Sequence, residues 1–129
     1  MTDDNAPAGG PLDGDWTLRS YDLAGVATPA NPPTPVTATV AGGRIYGKSA
    51  CNQYSAGCLV SGAAIEISMA ISTMMFCPPP AMDIEQAYLA NLARAATYSL
   101  ESDRLTIFDT EGRTLLVFTP GIVAQSPAG

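Results

Sequence analysis

Hydrophobic and polar positions alternate with a period of two through much of this chain. Ile65, Ile67, Met69 and Ile71 alternate with Glu66, Ser68, Ala70 and Ser72, which predicts a strand with four large apolar side chains on one face. Trp16 and Leu18 alternate with Thr17 and Arg19 in a first strand, and Val36, Ala38 and Val40 with Thr37 and Thr39 in a second. Gly42 and Gly43 follow as a two-residue hairpin turn, because such turns need positive φ, which glycine adopts without a steric cost. The return strand is expected over 44–49. Farther on, Tyr98 to Leu100, Leu105 to Phe108 and Leu115 to Phe118 read as short strands. Ser102 and Asp103 separate the first two, and Thr110, Glu111 and Gly112 the last two, giving an antiparallel meander.

One segment changes period. Ile84, Tyr88, Leu92 and Ala95 recur at helical spacing, with Glu85, Gln86 and Asn91 assigned to the polar side. Pro78, Pro79 and Pro80 precede it, and Asp83 and Glu85 suit the positive end of a helix dipole. A single helix is therefore expected at about 81–95. Pro29, Pro32, Pro33 and Pro35 mark a loop, since their missing N–H groups would interrupt a central ladder. Residues 1–13 and 120–129 lack periodicity and read as flexible tails around one domain at 14–119.

Composition narrows the function. The 129 residues carry a formal charge of −6 with only six Lys and Arg, scattered from Arg19 to Arg113, so neither nucleic acid nor an anionic membrane surface is an expected partner. No apolar run approaches the roughly 18 residues of a membrane-spanning helix. The segment MTDDNAPAGG has neither the basic nor the apolar region of a signal peptide. The expected compartment is the cytoplasm if Met1 is the native start, and the periplasm or outer membrane if a signal segment was removed.

There is no histidine, and the acidic residues are expected singly on strands and turns, so the usual proton-transfer chemistry is missing. No catalytic residue, cofactor or metal is assigned on this basis. Cys51, Cys58 and Cys77 allow three different single bridges. A Cys51–Cys77 bridge would close a loop of about 26 residues and stabilise by roughly 3 kcal/mol. That pairing is favoured in an oxidising compartment, and buried free thiols in a reducing one. Cys58 is expected to pack in a strand. Met69, Met74, Met75 and Met82 are soft sulfur ligands of the kind that suit Cu(I), but packing in the core is the favoured reading. Asn52 is expected to hold a turn.

Several stretches together resemble the META domain family, the group that includes the heat-shock protein HslJ. They are GDWTLRSYDLAG near the start, YGKSACNQYSAG at 46–57, MAISTMMFC at 69–77, IEQAYLANL in the helix and SDRLTIFDTEGRTLLVF near the end. The specific part is Cys51, Asn52, Tyr54 and Gly57 followed by Thr73, Met75 and Cys77, with Trp16 in the opening motif. The resemblance implies an α+β, mostly β fold: a curled antiparallel sheet or half-open lipocalin-like barrel with one helix packed across it. It also implies association with the bacterial envelope and with heat or antibiotic stress, without catalytic activity. Ala50 stands where the family frequently has glycine, and Cys58 is additional. The expected function is a monomeric, non-enzymatic domain that binds another protein. The alternative is a carrier of a small apolar ligand or lipid within the curved sheet.

Overall fold

The computed structural model describes residues 10–30, 35–101 and 103–121. Within them the chain runs β1 (Gly14–Leu23), β2 (Val26–Pro29), β3 (Thr37–Ala41), β4 (Arg44–Lys48), β5 (Gln53–Ser61), β6 (Ala64–Ile67), β7 (Ile71–Ser72), α1 (Ala81–Ala93), β8 (Thr97–Glu101), β9 (Arg104–Phe108) and β10 (Thr114–Pro120). The expected tails over 1–9 and 122–129, Pro32 and Pro33 of the proline-rich loop, and Ser102 lie outside the described residues.

Eight strands close on themselves in the order β1, β3, β4, β5, β6, β8, β9, β10, with β10 pairing back onto β1. All pairings are antiparallel, as hairpin connections require. The expected curled sheet is thus a closed barrel with one helix packed against it. Its narrowest seam joins β6 to β8, where Ala64 and Thr97 are the only matched pair. The ten-residue β1 serves two partners on one side: residues 14–17 pair with β3 and residues 20–23 with the short β2. Pro29 ends that outlying strand instead of lying in a loop, which is possible because an edge position leaves its missing N–H without a required partner. Gly42 and Gly43, at φ 58° and 78°, make the hairpin turn between β3 and β4.

Inward-facing positions alternate along each strand as a barrel requires. Trp16, Leu18, Val40, Ile45, Ile65, Leu105 and Phe118 are buried from strands distributed around the wall. Leu12, inside the segment read as leading tail, is also fully buried, and its carbonyl accepts the Trp16 indole N–H at 2.9 Å. The strand expected through Ile71 ends at Ile67. Ile65 and Ile67 enter the core, but Met69 and Ile71 face solvent. Between them the ladder becomes irregular at Ser68, whose N–H still donates to the Gly57 carbonyl at 3.1 Å but whose hydroxyl, not its carbonyl, accepts the Gly57 N–H at 2.8 Å. The side chain has replaced a backbone partner there, and period-2 alternation cannot carry through such a break.

Helix α1 places Ile84, Tyr88 and Leu92 inward. Tyr88 is fully buried and meets Tyr54 and Phe118 edge-on, with ring centroids 5.3 Å and 6.3 Å away. The assignment of Glu85 and Asn91 to a solvent-facing side is overturned, because both are buried. Positions 81, 84, 85, 88, 91 and 92 form one continuous buried stripe at 3.6-residue periodicity, with Glu85 along one edge and Asn91 along the other.

Candidate functional site

Segment 49–52 links β4 to β5, and Ala50 within it has φ 89° while its methyl group is buried. This is the left-handed backbone that glycine adopts freely and alanine only with strain. The bend turns the N–H groups of Cys51 and Asn52 toward α1. Glu85 Oε1 accepts both, at 3.2 Å and 2.7 Å, and also the Ser49 hydroxyl at 2.8 Å. Glu85 Oε2 accepts the Asn52 side-chain amide at 2.8 Å. Burial alone would push the Glu85 carboxyl up. The bonds from Asn52, Ser49 and Cys51 outweigh it, so the group is held below the ordinary carboxylate value. A buried ion is thereby fully solvated by protein donors.

The other end of Asn52 reaches the segment before the helix. Its Oδ1 accepts the Met75 N–H at 2.7 Å and the Thr73 hydroxyl at 2.9 Å, and its Nδ2 also donates to the Met75 carbonyl at 3.1 Å. Thr73 Oγ1 accepts the Gln53 N–H at 3.1 Å. A disulfide joins Cys51 to Cys77, with Cα atoms 6.0 Å apart, and Cys58 is a buried free thiol in β5. Burial, with the nearby Asp13 charge, pushes that thiol up. Of the residues singled out by sequence, Cys51, Asn52, Thr73, Met75 and Cys77 therefore meet in one clamp. Tyr54 adjoins it, and its hydroxyl donates to the Thr37 carbonyl at 2.8 Å and contacts the Tyr88 hydroxyl at 2.5 Å. Burial drives both phenols well above their ordinary value. Trp16 and Gly57 lie elsewhere in the barrel wall. Asn52 holds its loop through side-chain hydrogen bonds, while Ala50 takes the left-handed turn.

Sequence reasoning missed Glu85, Ser49 and a second junction at the far end of α1. There Arg94 reaches Asp109 at 3.2 Å and Asp22 at 3.5 Å, so two carboxylates distant in sequence share one guanidinium. Asp109 Oδ1 also accepts the N–H groups of Glu111 and Arg113, at 2.8 Å and 2.9 Å, and the Arg113 bond leads in holding its carboxyl below the ordinary value. Asn91 Nδ2 donates to the Asp22 carbonyl at 2.9 Å.

What the clamp holds outward is apolar. Met69, Ile71, Met74, Met75 and Phe76 are 87, 74, 91, 57 and 82% exposed. The reading of Met69, Met74 and Met75 as core residues is overturned. With Cys77 bonded to Cys51, and the Met75 backbone and Thr73 bonded to Asn52 and Gln53, Met74 and Phe76 stand between anchored neighbours at the surface. Ile71 and Thr73 also border an open groove of about 650 Å³ on the outer barrel face, with Tyr46, Lys48 and Gln53 opposite. The barrel interior, in contrast, keeps a void of only about 10 Å³ between residues such as Trp16, Ile65 and Leu92. A ligand pocket needs roughly 300 Å³ or more, and the barrel interior among the described residues holds no cavity of that size for the expected alternative of an apolar ligand within the sheet.

A closed antiparallel barrel whose single helix is fastened by a buried carboxylate and a disulfide is the class of protein these features define. A family model described as META domain matches residues 11–121, and the chain belongs to that family. An NMR structure of a protein from Burkholderia xenovorans is similar in fold, with a TM-score of 0.71 at 23% identity over 95% of this chain and 98% of that one. A second NMR structure gives a TM-score of 0.63 at 20% identity over 83% and 88% of the two chains. No curated protein matches the chain.

Proposed function

We propose that this META-domain protein is not an enzyme and works by binding another protein, with the ridge from Met69 to Phe76 as its contact surface. The observation that carries this reading is the exposure of five large apolar side chains on a backbone tethered at both ends. Exposed apolar patches on soluble proteins mark interaction sites, and methionine-rich ones adapt to several partner shapes. The adjoining groove adds the Tyr46 ring, the Lys48 ammonium and the Gln53 amide, polar groups of the kind found at interface rims.

The working context of this proposal is the bacterial envelope under heat or antibiotic stress. The disulfide supports an oxidising compartment such as the periplasm, where such bonds persist. The test compares wild type with Met74→Asp and Phe76→Asp as baits in envelope extracts from stressed cells. Val26→Asp, at an exposed position on β2, serves as the control. Saturable capture by wild type and control, reduced about tenfold or more in the ridge variants, supports the reading. Equal capture by all four proteins would place binding elsewhere.

A further inference from the structure

From Ser68 to Met82 the chain has no charged residue, and three of the five methionines stand at the surface within seven positions. Exposing a large apolar side chain forgoes about 25 cal/mol for each Å² left in water, so packing does not account for the arrangement. Leucine or isoleucine would give an apolar ridge equally well. What methionine adds is a thioether open to oxidants, and here each exposed thioether sits on a backbone whose anchors do not involve the sulfur. Met75 is held through its N–H and carbonyl, and Thr73 through its hydroxyl and its N–H to the Gln53 carbonyl at 3.0 Å. Met82, on α1, is largely covered by comparison.

We infer that Met69, Met74 and Met75 form a reversible oxidation site for peroxide-class oxidants, which switches the ridge from apolar to polar. The thioether sulfur attacks one oxygen of hydrogen peroxide, the O–O bond breaks, and that oxygen stays on sulfur as the sulfoxide. The second oxygen leaves as water after proton transfer, so sulfur loses two electrons and peroxide gains them. The product is polar and returns to thioether through methionine sulfoxide reductases, a dithiol reductant supplying the two electrons and becoming a disulfide while the oxygen leaves as water. Because the clamp holds Met75 through its backbone N–H and carbonyl and not through its sulfur, the barrel keeps its structure while the contact surface changes. This regulation rests on the docking role proposed above, whereas the chemistry at the three sulfurs does not.

The experiment exposes the full chain, disulfide intact, to hydrogen peroxide and follows oxygen incorporation at each methionine by peptide mass spectrometry. Retention on a phenyl hydrophobic-interaction column and the near-ultraviolet dichroism are read in parallel. Met69 and Met74 are expected to oxidise about tenfold faster than Met82, with Met75 between. Retention should fall with unchanged dichroism and recover after reductase treatment. A variant with Met69→Leu, Met74→Leu and Met75→Leu should keep its retention under the same dose. Oxidation of Met82 in step with Met74, loss of the dichroic signal, or equal loss of retention in the leucine variant would each overturn the inference. None of these readouts needs a partner, so they fail separately from the capture experiment.

Discussion

Asn52 and Glu85, 33 positions apart, are joined at two points: the carboxylate accepts the Asn52 backbone N–H at 2.7 Å through one oxygen and its side-chain amide at 2.8 Å through the other. The pair fastens the helix to the loop that closes the β4–β5 connection. Through the remaining bonds of Asn52 it also fixes the segment presenting the ridge.

Removing the charge from this junction should be costly. Glu85→Gln keeps the shape but supplies one accepting oxygen where two had accepted four donors, and it turns an NH₂ group toward one of them. A loss of about 2 to 4 kcal/mol is expected, read as a lower urea midpoint at pH 7. The folded carboxyl lies below its ordinary value near 4.5, so the unfolded chain binds the proton more readily. The Glu85 contribution is complete above that value and is lost as pH falls through the folded value. Wild type should therefore lose stability below about pH 4.5 more steeply than Glu85→Gln, and parallel acid curves would contradict the clamp.

Asn52→Ala should cost a comparable amount, because it strands the Met75 N–H and one Glu85 oxygen. Since the two residues bond directly, the double variant should be less destabilised than the sum of the single ones, with a coupling of about 1 to 3 kcal/mol in a denaturation cycle. Additive values would show that the two act independently.

The disulfide and the polar clamp secure the same segment. Cys51→Ser combined with Cys77→Ser should lower stability by roughly 3 kcal/mol while leaving the barrel folded, because Glu85 still holds the helix. Amide spectra showing change confined to 69–80 and the 49–52 loop would bear this out, and global loss of dispersion would not.

Ala50 and Gly47 test two backbone requirements. At φ 89°, Ala50→Gly should change stability by less than about 1 kcal/mol, since relief of strain offsets a lost methyl contact and greater chain freedom. Ala50→Val should cost more than about 2 kcal/mol. Gly47→Ala would place its Cβ 2.4 Å from the Thr37 carbonyl oxygen, forcing β3 and β4 apart at the residue that accepts the Tyr54 hydroxyl. Thermal melts of the three variants rank these effects.

The two buried phenols should differ. Tyr88→Phe removes one bond, at about 1 kcal/mol, because Tyr54 retains the Thr37 carbonyl. Tyr54→Phe leaves both that carbonyl and the Tyr88 hydroxyl without their present partner and should cost about 2 kcal/mol in the same assay.

The sequence by itself determined most strands of the barrel wall, though not the bounds of β5, together with the hairpin at Gly42 and Gly43 and a helix starting after the prolines. Those features depend on side-chain periodicity and on φ preferences that act within a few residues. The family motif also marked Cys51, Asn52, Thr73, Met75 and Cys77, but not what joins them. Only the tertiary structure decided that Glu85 lies inside, because a carboxylate is buried when donors from a distant loop replace its water, and periodicity along one helix says nothing of that loop. Nor did alternation show that Met69 and Ile71 face outward. The break at Ser68, where its hydroxyl takes the Gly57 N–H, exists only once β5 and β6 are paired, and it turns an expected core strand into the exposed ridge.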